Sequence, residues 1–72
     1  MSDAEEARRM RAATGLTQSE LADFMRISRG TVARWEGGQS AISAASMHHL
    51  RLSCSFLSAA NSMTADGGRG TL

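Results

Sequence analysis

Apolar positions in "AEEARRMRAAT", residues 4–14, fall at Ala7, Met10 and Ala13 or Thr14, the spacing of one helical face. Glu5 and Glu6 stand in the first turn, where the helix dipole favours acids, and Gly15 follows as a C-cap glycine would. A second start comes at once in "TQSELADFM". Thr17 and Glu20 have the Thr-x-x-Glu spacing of a capping box, and Leu21, Phe24 and Met25 supply an apolar face behind it. Ser28 is placed to cap a third segment that ends at Trp35 or Glu36, before Gly37 and Gly38, with Val32 and Trp35 on its inner side. Only Arg26 and Ile27 separate the second and third segments, so the chain must turn sharply there. Two short helices joined this way describe a helix-turn-helix.

Past the polar loop "GGQSA", residues 43–62 read as one long helix or as two separated near Ser53. Met47, Leu50, Cys54 and Leu57 form a heptad-like stripe, and Leu52, Phe56, Ala59, Ala60 and Met63 form a second one beside it. Two stripes exceed what a tiny core needs from one helix. The surplus predicts a dimer surface drawn from Met47, Leu50, Cys54, Phe56, Leu57 and Met63. The expected fold is all-α, a compact bundle of four or five short helices with helices 2 and 3 as the helix-turn-helix. Residues 1–63 are expected to form the domain. Residues 64–72, "TADGGRGTL", have three glycines and no periodicity and are expected to be a flexible tail.

Composition narrows the chemistry. There is no proline among the 72 residues and little that favours a sheet, which agrees with helices. The net charge is only +1, but it is unevenly distributed. Asp3, Glu5 and Glu6 make the first seven residues acidic, whereas residues 8–51 hold seven arginines against Glu20, Asp23 and Glu36. Every basic residue is an arginine, whose planar fork suits phosphates and guanine edges. No apolar run is long enough for a membrane span, and no signal-peptide core follows the N-terminus, so a soluble, cytoplasmic protein is expected. The single cysteine, Cys54, fits a reducing compartment and a packing role. His48 and His49 with Cys54 suggest a metal only faintly, because adjacent histidines point in different directions on a helix and a fourth ligand is missing, so no metal or other cofactor is expected. No serine, histidine and acid stand in the context of a triad, and no glycine-rich phosphate loop follows a strand, so an enzyme is not expected.

The stretch "MRAATGLTQSELADFMRISRGTVARWEGG" resembles the DNA-binding domains of the phage repressor and Cro superfamily, the Cro/XRE-type helix-turn-helix proteins. The likeness rests on an ordered combination. Arg11 stands four residues before Gly15, then come Leu-Thr-Gln-x-Glu-Leu-Ala and Ser-x-x-Thr-Val-x-x-Trp-Glu-x-Gly. The resemblance implies that Ser28, Arg29, Gly30, Thr31 and Arg34 face the major groove. Base contacts would come from Arg29, Gly30, Thr31 and Arg34, with a guanine read by at least one of the two arginines and the Thr31 methyl offered to thymine. Gln18 would touch a phosphate and brace the recognition helix, and Ser28, Arg8, Arg9 and Arg26 would add backbone contacts. Arg11 and Glu36 match a partly buried ion pair, Ala22 the small residue where the two helices cross, and Leu21, Ile27 and Val32 the core. Arg26 stands where the family usually has glycine, which leaves the turn open to alteration. The loop after the third helix lacks the basic residues many relatives carry.

Two functions are therefore expected in competition. The first is a sequence-specific transcriptional regulator, a repressor or autorepressor of phage or mobile-element type, binding double-stranded DNA at a pseudo-palindromic operator as a homodimer. The second is an antitoxin-like or adaptor protein whose C-terminal helix holds a partner protein while DNA binding serves autoregulation.

Overall fold

Each helix starts where the chain supplies a hydroxyl. The computed structural model describes residues 2–70, with side chains through Ser62. The first helix, α1 (Asp3–Thr14), begins at Ser2, whose Oγ accepts from the Glu5 amide at 3.1 Å while Glu5 Oε1 accepts from the Ser2 amide at 3.2 Å. This capping box has the Ser-x-x-Glu spacing, and Glu5 does more than answer the helix dipole. The reciprocal bonds also hold the exposed Glu5 carboxyl below the usual carboxylate range, with the Ser2 amide as the main cause. The expected box at Thr17 and Glu20 opens α2 (Gln18–Met25), with bonds of 3.1 and 2.9 Å. Ser28 caps α3 (Arg29–Glu36), and Ser43 Oγ accepts from the Ser46 amide at the start of α4 (Ala44–Gly70). Removing such a cap costs about 1 kcal/mol.

Residues 44–62 belong to one helical run, with Ser43 just before it as its cap. The helix carries on to Gly70, through residues 64–70 that glycine content had assigned to a tail; Thr71 and Leu72 lie outside the described residues. Among the described residues the fold is all-α, four helices with α4 packed across α1 and α2. Among the described residues no helix is long and apolar enough to cross a membrane.

The core is built where the three-and-four spacing predicts it. Leu21, Val32 and Leu50 are the largest fully buried side chains, joined by Ala7, Ala22, Met25, Trp35, Ile42, Met47 and Cys54. Ile27, Met10 and Leu57 pack against the same cluster.

Two expectations are corrected here. Phe24 was placed on the inner face of α2, yet it is 46% exposed. With about 100° per residue, Leu21, Met25 and Ala22 occupy one continuous arc and Phe24 falls about 60° outside it. It stacks instead on Phe56 of α4, ring centroids 6.0 Å apart and planes 16° from parallel. The second correction concerns the dimer surface. Met47, Leu50 and Cys54 turn into the protein's own core, and Leu57 is half-buried against it. The other stripe is what remains outside: Leu52 is 58% and Phe56 64% exposed. The Met63 side chain lies outside the described ones.

The turn between α2 and α3 keeps its left-handed form without glycine. Arg26 has φ 62° and ψ 41°, and it is the one non-glycine residue with positive φ among those described. Its amide closes α2 on the Ala22 and Asp23 carbonyls, and the Ile27 amide reaches Ala22 at 3.0 Å. The side chain is exposed, so glycine would remove strain without opening a cavity. Arg26→Gly is expected to stabilise the fold by about 1 kcal/mol. A higher urea midpoint with an unchanged m-value would bear this out; a lower midpoint would refute it.

Candidate nucleic-acid interface

α3 is fixed from behind by one buried carboxylate. Glu36, the last residue of α3, is 6% exposed. Its Oε2 accepts from Arg11 Nε at 2.6 Å, and its Oε1 accepts from Arg11 Nη2 at 3.0 Å and from Gln18 Nε2 at 3.2 Å. The fork-on-carboxylate geometry is the strong form of this contact. Arg11 Nη1 also donates to the Leu16 carbonyl at 3.0 Å, and the Arg8 guanidinium donates to the Glu36 carbonyl. Through these bonds α1, the start of α2 and the end of α3 meet at a single point. Glu36 holds the Arg11 pKa above its ordinary value, mainly by accepting its hydrogen bonds, so the guanidinium keeps its charge.

Arg11 and Glu36 form the ion pair that the resemblance implied. Gln18 sits on the same carboxylate, at the end of α3. Arg8, expected on DNA phosphates, spends one N–H on the carbonyl end of α3, a favourable place for a cation. That contact could not be read from a helix pattern, because the two residues are 28 positions apart.

The opposite side of α3 is open. Ser28, Arg29 and Arg34 are exposed, and Gly30 and Thr31 are half-buried, while Val32 and Trp35 lie inside. Ser28 Oγ accepts from the Thr31 amide at 3.1 Å and lies 2.8 Å from Thr31 Oγ1, which accepts from Arg34 Nη2 at 3.4 Å. Arg9 on α1 and Arg26 at the turn are exposed as well. Among the described residues two ion pairs occur, Arg11 with Glu36 and Arg51 with Glu6. The arginines on and beside α3 are therefore not committed to carboxylates there. The surface offers hydrogen-bond donors and positive charge on a short helix, the chemistry that nucleic acid requires.

Other candidates from the sequence fall elsewhere. His48 and His49 are exposed, and His49 Nε2 lies 3.4 Å from the Met25 carbonyl. The described residues hold no cluster of three or more metal-ligating side chains. Cys54 is buried, and burial pushes its thiol pKa up, so it favours the neutral, unreactive form.

Residues 4–53 match the family described as Helix-turn-helix domain, and the chain belongs to it. No curated protein matches the chain. No solved structure matches it either. The matched span runs from α1 into α4 and includes the whole Glu36 network together with the exposed face of α3.

Removing Arg11 would strand a buried carboxylate with Gln18 as its remaining side-chain donor. Arg11→Met is expected to destabilise the domain by about 3 kcal/mol, near the lower end for broken buried pairs because Arg11 is partly solvated. The double substitution Arg11→Met with Glu36→Leu is expected to recover most of that loss. Urea titrations of both variants check this; a single variant as stable as the parent would contradict the role given to the pair.

Proposed function

We propose that this protein is a sequence-specific regulator of transcription that lays α3 in the major groove of double-stranded DNA. The observation that carries the reading is the two-sidedness of α3. Its inner side is buried and tied to α1 and α2, while on its outer side Arg29 and Arg34 are exposed and Gly30 and Thr31 half-buried, the four residues this reading assigns to base edges. Gln18, Ser28, Arg9 and Arg26, with the free part of Arg8, supply contacts to phosphate. The simplest action is repression, by occupying a promoter, in the cytoplasm on nucleoid DNA.

A homodimer on a pseudo-palindromic operator would set two copies of α3 about 34 Å apart, one turn of DNA. The surface assigned to the second copy is the exposed apolar strip of Leu52 and Phe56 with Phe24 beside it. The same strip favours one alternative: an antitoxin-like or adaptor role in which a partner protein covers it.

Selection of duplexes from a random library, followed by titration across salt, tests the DNA-binding reading. Enrichment of a two-fold-related site is expected, with log K falling by about 0.9 per phosphate contacted for each unit of log salt. Failure to enrich any sequence would overturn it. For the dimer, Phe56→Glu is expected to leave the fold intact and shift sedimentation to the monomer. A parent protein that sediments as a monomer at high micromolar concentration would refute self-association.

A further inference from the structure

Arg34 and Arg29 both stand exposed on α3, but the structure treats them differently. Arg34 folds back along the helix toward its N-terminus, where Nη2 donates to Thr31 Oγ1 at 3.4 Å. Nη1 passes over Gly30, at a place where a Cβ would stand 3.4 Å away. Thr31 is itself held, 2.8 Å from Ser28 Oγ, which caps the helix through the Thr31 amide. Among the described residues Arg29 has no such brace.

Proton counting fixes what this chain of groups offers outward. Thr31 Oγ1 has one hydrogen and two lone pairs, and one lone pair is taken by Arg34. The contact between the Ser28 and Thr31 hydroxyls uses one of their two protons. Whichever residue donates, one hydroxyl proton remains, together with the unused guanidinium N–H groups, against a single spare lone pair. The outward surface is weighted to donors. In the major groove guanine presents two acceptors, O6 and N7, whereas adenine pairs its N7 acceptor with an N6 donor and cytosine presents a donor.

We propose that Arg34 is the residue that reads a guanine in each half-site, and that Thr31 is its positioning residue, with Gly30 leaving the guanidinium room to lie back. The inference rests on the DNA-binding reading above. Its energetic logic is pre-organisation. A free arginine must give up rotamer freedom to grip guanine and gives up none when the base is wrong, so bracing it in advance raises guanine affinity selectively. Thr31 thus acts through its hydroxyl rather than by offering its methyl to thymine.

The experiment uses the duplex enriched by the full chain, with each guanine replaced in turn by adenine or 7-deazaguanine, which lacks the N7 acceptor. At one position per half-site the parent is expected to prefer guanine by roughly 5- to 150-fold, and Arg34→Ala to abolish that preference, while Arg29→Ala lowers overall affinity and keeps the guanine preference at that position. Thr31→Val is expected to reduce the preference by about threefold or more, up to its loss, through restored arginine freedom, with an unchanged salt slope. Thr31→Ser is expected to restore it. Thermal melting of each variant separates misfolding from a changed contact. A preference untouched by Thr31→Val, or one that depends on Arg29 and not on Arg34, would overturn this inference while leaving DNA binding standing. A parent that enriches no DNA overturns both.

Discussion

The Glu36 carboxylate is the point on which the arrangement of the helices depends. A carboxylate of such low exposure costs several kcal/mol to remove from water, and Arg11 and Gln18 offset that with three hydrogen bonds. The pair is therefore a poor source of net stability and a strong source of geometry. Any shift of α3 that separates Glu36 from Arg11 exposes the full desolvation cost. Since Arg11 lies on α1 and Gln18 opens α2, α3 is held at its C-terminal end from two sides. On its outer side Arg29 and Arg34 enter no ion pair among the described residues.

The turn shows the opposite balance, a local strain overridden by packing. A left-handed arginine costs on the order of 1–2 kcal/mol. Leu21 and Met25 on one side and Ile27 and Val32 on the other pack into the core, each side chain worth about 1.5–3 kcal/mol when fully buried. Losing that packing to relax one residue would be the larger penalty. The turn at Arg26 accordingly keeps the form that glycine would take more easily.

What was legible in the sequence follows from the range of each interaction. Caps at Thr17, Ser28 and Gly15 are chemistry within three residues, and the structure has them where the spacing put them. The core positions of α2 and α3 followed from helical periodicity, apart from Phe24, whose offset from the buried arc a list of apolar residues conceals. The Arg11 and Glu36 pair spans 25 positions and no periodicity reveals it; it was reached through resemblance to a family. The contact of Arg8 with the Glu36 carbonyl had no signal at all, since any exposed arginine on α1 looks alike in one dimension. On α4 the two stripes were visible, but which of them the core uses depends on where α1 and α2 lie.

Backbone amide shifts followed by NMR while duplex DNA is added test the central claim most directly, namely that the back of α3 is locked so that its front can read DNA. The account predicts that the largest changes fall on Gln18 and residues 28–34, with Leu50 and Cys54 in the core unmoved. Changes concentrated on α4, with residues 28–34 silent, would contradict it.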